Sequence, residues 1–318
     1  MKRCFLILTL IILSHKGFSW GFYGHRLINY QAVFLLPPEM ISFYKPNIDF
    51  ISSHAVDPDK RRYSVAEEGP RHYIDLDWYA AISIPHSWTK AVEKFSEDSL
   101  KAHGIVPWWI QIMLARLTKA FREKNVNAIL KLSAETGHYL GDAHVPLHTS
   151  SNHNGQFTGQ HGIHGFWESR IPEIYAETEW DLFTERSIYI RNPLEFTWKR
   201  VEESFKASDS VLEFEKLLND QVSADRKYAF ENRNGLIIKQ YSTEYSKAYN
   251  DMLDGMVERR LKQSVFAVAS FWYTAWVNAG QPNLKNLSRK ELSAEEGAAF
   301  SELEMKWRNE KIKGRSCE

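Results

Sequence analysis

The sequence predicts an all-α protein, a single compact multi-helix domain. Apolar residues recur three and four positions apart along many segments, which is the spacing of one helix face, whereas strand patterns are scarce. Hydrophobic residues form 43% of the 318-residue chain, enough to fill a core of that size. We expect the domain to span 20–281, between a signal peptide at 1–19 and a polar, charged extension at 282–318.

Proline and glycine separate the helical segments from one another. Pro37 and Pro38 end the first segment, because proline cannot continue a helical backbone. The stretch 156–165 contains three glycines and is predicted to be a loop. The chain has no repeat of the length found in solenoid proteins. Helices are predicted at 27–36, 108–121, 126–140, 193–218, 236–252 and 256–279.

The N-terminus has the pattern of a secretory signal peptide. Two basic residues precede an apolar run at 4–13, which is too short to span a membrane comfortably. Gly17 and Ser19 then stand at positions −3 and −1 of a cleavage site before Trp20. The sequence therefore predicts an exported protein, periplasmic or secreted, that begins at Trp20 and keeps no transmembrane anchor after cleavage.

Charge and cysteine content narrow the class of protein. Lys plus Arg and Asp plus Glu both number 40. The chain therefore lacks the excess of basic residues that would indicate a nucleic-acid binder. Signal cleavage would remove three basic residues and leave a formal charge of −3. It would also remove Cys4, so that Cys317 could form no internal disulfide. An exported domain of this kind depends on its core, on metal, or on both.

Histidines and carboxylates with metal-ligand spacing are concentrated in one stretch. His138 and Asp142 stand four residues apart, which places both on one face of a helix. His164 and Glu168 repeat this spacing, and His148 lies between the two pairs. Histidine and carboxylate are common zinc ligands, so these residues together predict a metal site. The His-Glu-x-x-His string of zinc peptidases is absent from the chain, which disfavours a peptidase.

These motifs resemble the superfamily of zinc-dependent phospholipases C and S1/P1-type single-strand nucleases. The string Trp20-Gly-Phe-Tyr-Gly-His25 resembles its N-terminus, and the two His-carboxylate pairs follow in the family order. Asp57 in His-Ala-Val-Asp and His72 in Arg-His-Tyr-Ile-Asp resemble two further positions. The similarity covers 20–173. Members are mostly helical and hold three zinc ions, so the resemblance implies both properties for this chain.

The resemblance also implies which residues hold each zinc ion. The first site would comprise Asp57, His72, His138 and Asp142. The second would comprise the amino group and carbonyl of Trp20 together with His25, and Asp142 would bridge it to the first. The third would comprise His148, His164 and Glu168. Asp57 is preferred to Asp59 by family register, and it is also expected to orient or deprotonate the attacking water.

Two kinds of phosphodiester remain open as the substrate. The string His-Tyr-Leu-Gly-Asp and the use of Glu168 look more like the phospholipases C. The short gap from Trp20 to His25, and Trp167 directly before Glu168, look more like the nucleases. The loop at 155–160 lacks the Gly-Gly-Asn that is usual in the nucleases.

We therefore expect an exported zinc-dependent hydrolase of phosphoric diesters, phospholipase C-like, with a phospholipid head-group as substrate. The alternative is an S1/P1-like endonuclease that acts on single-stranded nucleic acid. A non-catalytic, metal-stabilised envelope protein is a further alternative from another class. No stable protein partner is indicated by the sequence.

Overall fold

Helices dominate the structure, a computed structural model that describes residues 21–79, 83–233, 235–289, 291 and 293–315. This confirms the all-α prediction. The strands in these residues form a two-stranded antiparallel hairpin, β1 (Tyr228–Arg233) and β2 (Leu236–Tyr241). The α-helices are α1 (Phe22–Ala32), α2 (Pro38–Tyr44), α3 (Ile48–Ser53), α4 (Asp57–Arg61), α5 (Trp88–Phe95), α6 (Glu97–Ala102), α7 (Val106–Glu123), α8 (Val126–Asp142), α9 (Ile163–Gly165), α10 (Ile171–Tyr175), α11 (Pro193–Gln221), α12 (Ala224–Lys227), α13 (Thr243–Met252), α14 (Met256–Asn278) and α15 (Ala294–Asn309).

Single helical turns connect several of these helices. A π-helical turn at Phe166–Arg170 joins α9 to α10, so the chain stays helical through this region. The 3-10 turns lie at Val33–Leu35, Lys45–Asn47, His54–Val56, Ala66–Arg71, Leu76–Tyr79 and Pro146–Thr149.

Most of the predicted helices agree with the observed ones. Helices α7, α8, α11 and α14 end within three residues of the bounds predicted from apolar spacing. The segment predicted at 27–36 begins earlier in the structure, because α1 starts at Phe22. His25 and Asn29 are buried on the same side of α1 as Ile28 and Ala32. The buried face of α1 therefore includes polar residues, and a search for apolar spacing alone does not detect the part of the helix that they occupy.

The prediction of one helix over 236–252 is wrong in its first part. Leu236–Tyr241 forms β2, and the helix α13 begins only at Thr243. Adjacent β-branched residues, Ile237 and Ile238, favour an extended backbone. Gly235 has a φ of +84°, a conformation that glycine adopts readily, and it leads directly into β2. Pairing with β1 therefore outweighs the local helical spacing.

Helices α1, α7, α8 and α14 pack against one another to form the centre of the core. Trp272 of α14 is fully buried and stacks on Tyr44, with ring centroids 5.1 Å apart. Its indole Nε1 donates a hydrogen bond to the carbonyl of Ser133 in α8, at 3.0 Å. The large aromatic area is thus buried without an unsatisfied polar atom on Trp272.

Two glycines of α8 allow α1 to approach closely. A Cβ atom at Gly137 would lie 1.8 Å from Oδ1 of Asn29. One at Gly141 would lie 3.0 Å from Nδ1 of His25. Because both positions lack a side chain, the His25 ring of α1 stacks on the His138 ring of α8, with centroids 3.9 Å apart.

The C-terminal extension packs on the rest of the chain. Helix α15 has no buried residue among those described, but it lies against α4. Phe300 contacts His54, with ring centroids 4.5 Å apart. Lys60 of α4 forms an ion pair with Glu304 at 2.8 Å. The extension therefore contacts the segment that carries two of the candidate site residues, Asp57 and Asp59.

The predicted signal peptide and Trp20 lie outside the described residues. The same is true of both cysteines, Cys4 and Cys317. Among the helices that are described, none combines the length and the apolar character needed to cross a membrane.

Candidate metal centre

Three groups of buried histidines and carboxylates lie where α1, α4 and α8 meet the turns that follow them. Within each group, one possible ligand atom from every residue lies within 4.8 Å of the others. Seven of the nine ligand candidates predicted from the sequence are members of these groups. The groups are His25, Asp59 and His138; His72, His138 and Asp142; and His148, His164 and Glu168.

Asp59, and not Asp57, is the aspartate of α4 that lies among the histidines. Oδ1 of Asp59 is 3.8 Å from Nδ1 of His72 and 3.7 Å from Nε2 of His138. The carboxylate of Asp57 instead accepts a hydrogen bond from Nδ1 of His54 at 2.6 Å. Residues two apart on a helix point in directions that differ by roughly 200°, so only one of the two can face the histidines. This geometry favours Asp59 over the expected Asp57 as the ligand of this group.

Asp142 connects the groups through both of its carboxylate oxygens. Oδ2 lies 3.0 Å from Nδ1 of His72 and 3.3 Å from Nε2 of His138. Oδ1 lies 3.4 Å from Nε2 of His25 and 3.8 Å from Nε2 of His148. A carboxylate with histidines on both oxygens is suited to join two cation sites.

In the third group the three possible ligand atoms lie within 3.5 Å of one another. The Nε2 atoms of His148 and His164 are 3.2 Å apart. Oε2 of Glu168 lies 3.0 Å from the His164 nitrogen and 3.5 Å from the His148 nitrogen. The four-residue spacing of His164 and Glu168 therefore brings both to one face, although the backbone there passes from α9 into the π-helical turn.

Backbone carbonyls orient three of the histidine rings. His138, His148 and His164 each have Nδ1 within hydrogen-bond distance of a carbonyl oxygen. The carbonyls are those of Ala55, His72 and His153, at 2.9, 2.7 and 3.0 Å. Since a carbonyl can only accept, each Nδ1 carries the hydrogen, and Nε2 presents its lone pair to the group. This is the usual arrangement of a metal-binding histidine.

Glu68 is a buried carboxylate beside His72 that the sequence analysis missed. Its Oε1 lies 3.5 Å from Nε2 of His72, Arg61 donates to its Oε2 at 2.9 Å, and the Tyr139 hydroxyl donates to Oε1. Burial would raise the pKa of Glu68, but His72 and Arg61 outweigh it and hold that pKa well below its usual range. The four-residue spacing between Glu68 and His72 is a signal that could have revealed it.

Neighbouring histidines keep two carboxylates of the centre ionised. Burial alone would raise the pKa of Glu168, but His164 and His148 outweigh it and hold the pKa at about 2. Burial also opposes ionisation of Asp142, yet His138 and His148 hold its pKa well below the usual range. Ionised carboxylates and neutral imidazoles are the forms that bind metal.

The donor set fits a metal cation. His148 and His164 both use Nδ1 as the donor to a carbonyl, so in the neutral form that binds metal their rings direct two lone pairs at each other across 3.2 Å. A cation between the two nitrogens removes this repulsion. Burial raises the pKa of Asp59, so this carboxylate also requires positive charge nearby to stay ionised. Imidazole nitrogen and carboxylate oxygen are ligands that zinc prefers.

A helical domain with buried groups of histidines and carboxylates that could hold metal ions is typical of a metal-dependent enzyme of all-α fold. The chain belongs to the S1/P1 nuclease family, because the S1/P1 Nuclease family model matches residues 20–271. It is therefore a zinc-dependent hydrolase of phosphoric diesters, as the sequence analysis predicted. Comparison with curated proteins gives no match.

The family match bears on the substrate that the sequence left open. It supports the nuclease alternative better than the phospholipase C-like reading, which nothing confirms. The matched range contains every residue of the three groups and ends before α15. The C-terminal extension is thus outside the part of the chain that defines the family.

Proposed function

We propose that this protein is an exported endonuclease that cleaves single-stranded nucleic acid with three zinc ions. The observation that carries the proposal is the meeting of three ligand groups, joined by Asp142, in a chain of the S1/P1 nuclease family. A structural zinc site is closed by four protein ligands. The third group offers three protein ligands, one fewer than the four that close a structural site, so it leaves a position open for water or substrate and disfavours the non-catalytic alternative.

The groups suggest which residues would hold each ion. His72, His138 and Asp142 would serve the first, with Asp59 in the place expected of Asp57. His25 and the N-terminal amine and carbonyl of Trp20 would serve the second, and Asp142 would bridge these two. His148, His164 and Glu168 would serve the third. Zinc in such sites neutralises phosphate oxygens and lowers the pKa of bound water.

The residues of the chain contribute orientation and fixed charge. Asp142 holds His72 and His138 on one oxygen and His25 on the other, so the two neighbouring groups keep a constant spacing. Glu68, itself fixed by Arg61, lies on the opposite ring nitrogen of His72. Preorganised ligands of this kind lower the cost of reorganisation during the reaction.

Signal cleavage and metal binding by the N-terminus are both expected at Trp20. The family model begins its match at residue 20, where signal cleavage is expected to leave Trp20 as the first residue. The amide of Gly21 donates to Oγ of Ser169 at 2.9 Å, and Ser169 directly follows Glu168. Because Trp20 directly precedes Gly21, a chain that begins at Trp20 would have its terminal amine close to the ligand groups.

The test is a comparison of two substrates on one preparation. Mature protein beginning at Trp20, loaded with zinc, is assayed on a single-stranded oligonucleotide and on dispersed phosphatidylcholine. The double variant His138→Ala with Asp142→Ala is the inactive control, and His86→Ala controls for loss of a histidine elsewhere. We expect cleavage of the oligonucleotide alone, lost in the double variant and kept in His86→Ala. Head-group release without oligonucleotide cleavage would make the protein a phospholipase C instead.

A further inference from the structure

A groove of about 910 Å³ runs beside the metal centre, between α1, the turn Phe166–Arg170, the β-hairpin and α15. This volume lies within the range of roughly 300–1,000 Å³ found for ligand pockets. Its floor includes Gly165 and Ser169, which belong to the same segment as His164 and Glu168. A strand bound in the groove would therefore pass next to the third ligand group.

Aromatic rings and basic side chains share the walls of this groove. Phe22 and Trp307 lie on one side, with ring centroids 5.1 Å apart and planes inclined at 46°. The hairpin contributes Tyr228 on the other side, where Lys239 Nζ lies 4.0 Å from its ring centroid. The basic side chains that line the groove are Arg170, Arg233, Lys239 and Arg308, against one acidic residue, Glu173.

Helix α15 is held in place by contacts with α1 and α4. Lys60 pairs with Glu304 at 2.8 Å, and its Nζ also lies 5.5 Å from the ring centroid of Trp307. Arg308, one residue further, is exposed and shares Glu304. Trp307 and Arg308 thus form a ring and a cation at the groove, on a helix that lies beyond the matched family range.

We propose that this groove binds the single-stranded substrate next to the cleaved phosphodiester, with a base packed on Trp307 and phosphates beside Arg308 and Arg233. The inference rests on the proposed nuclease function and extends it to the C-terminal extension. Single-strand binding sites combine aromatic platforms for bases with a basic groove for the backbone, and both features occur here. The extension is then a substrate-binding part of this enzyme.

The lining favours nucleic acid over a lipid surface. A lipid-binding face is expected to present a contiguous apolar rim. The two most exposed apolar side chains of the hairpin, Phe230 and Ile237, are not among the described residues that line the groove, and of its exposed apolar residues Leu236 alone does. Inside it, aromatic rings lie beside four basic side chains. Arg170, Arg233 and Arg308 form ion pairs with Glu231, Glu173 and Glu304, and the phosphates of a nucleic-acid strand would compete with these carboxylates for the same cations.

The decisive variant is Trp307→Ala, compared with Trp307→Phe on the zinc-loaded enzyme. KM and kcat are measured for a twelve-residue oligothymidylate and for a dinucleotide too short to fill the groove. Loss of one stacked base predicts a rise in KM of about tenfold for the long substrate. The dinucleotide and kcat should change little, and Trp307→Phe should retain most of the affinity. Met305→Ala, an exposed position of α15 that does not line the groove, is the matched control.

Salt dependence separates a phosphate contact from a structural effect. Arg308 is exposed, so Arg308→Ala is expected to leave α15 docked and to remove one phosphate contact. The slope of log KM against log salt for the long substrate should fall by about 0.7, the value for one contact to a single strand. Unchanged slope and unchanged KM in both variants would overturn the groove assignment while the nuclease function stands.

Two other results have different meanings. If the wild type cleaves no oligonucleotide at all, the proposed function fails and this inference fails with it. If the wild type binds phosphatidylcholine vesicles and Trp307→Ala abolishes that binding, the groove is a lipid site and the nucleic-acid assignment is overturned.

Discussion

At the scale of single residues, Asp57 and Asp59 differ only in which side of α4 they occupy. Asp57 accepts a hydrogen bond from His54 near α15, whereas Asp59 lies within 4 Å of His72 and His138. One proline separates the two aspartates, so sequence spacing gives no physical reason to choose between them. The orientation of α4 determines which of the two aspartates faces the histidines.

Replacing each aspartate by asparagine tests this assignment. Asp59→Asn keeps the shape but removes the negative charge beside the histidines, so zinc content should fall and kcat/KM should drop by about 100-fold or more. Asp57→Asn disturbs the contacts with His54 and Lys60, which lie outside the three groups, and a loss of less than about threefold is expected. Zinc per chain and oligonucleotide cleavage are measured for both. Equal losses of zinc and of kcat/KM in the two variants would mean that Asp57 is also a metal ligand.

At the scale of elements, α8 is the helix on which the metal centre is built. It carries His138 and Asp142 on its inward face, and Gly137 and Gly141 let α1 come close enough to add His25. The segment after α8 is fixed by α11. Ser204 of α11 donates to the carbonyl of Ala143 at 2.7 Å, which constrains the approach to the turn Pro146–Thr149 and its His148.

Gly137→Ala is expected to destabilise the protein although alanine is the better helix former. The gain in helix propensity is about 1 kcal/mol. Against it, the new Cβ would lie 1.8 Å from Oδ1 of Asn29, whose amide donates to the carbonyls of Ile51 and Ala134. Moving Asn29 would leave buried carbonyls unsatisfied, so a net loss of about 2 kcal/mol is expected.

Urea unfolding of Gly137→Ala and Gly297→Ala measures this difference. A Cβ at Gly297, in α15, would meet nothing within 4 Å, so that variant should be neutral or slightly more stable. The close approach of α1 and α8 would be refuted by equal stability of Gly137→Ala and the wild type.

At the scale of the whole molecule, the fold encloses a cluster of negative charge. Asp59, Asp142, Glu168 and Glu68 are all buried, and the histidines beside three of them present lone pairs to the same space. Burying charge without a compensating cation is costly. The core and the metal are therefore expected to stabilise the same arrangement, in a mature chain predicted to have no internal disulfide.

Removal of zinc should lower the melting temperature markedly. Binding to the folded state alone adds several kcal/mol when the metal is far above its dissociation constant. For a chain of this size the expected decrease on full chelation is about 10 °C or more. Calorimetry before and after chelation, and after zinc is returned, measures it. An unchanged melting temperature at complete zinc removal would mean that the core alone holds the buried carboxylates.

The sequence alone predicted the helical class, the bounds of four of the six proposed helices and seven residues of the candidate metal groups. Apolar periodicity reports which face of a helix is buried, and His-x-x-x-carboxylate pairs are local enough to be recognised by spacing. The tertiary structure decided what the apolar pattern and the His-x-x-x-carboxylate pairs do not report. Asp59 and α15 have partners far away in the chain, His138 and α4, about which local spacing carries no information. Glu68 and the strand at Leu236–Tyr241 have partners nearby, His72 and β1, but a helical apolar pattern reports neither a buried carboxylate nor a hairpin.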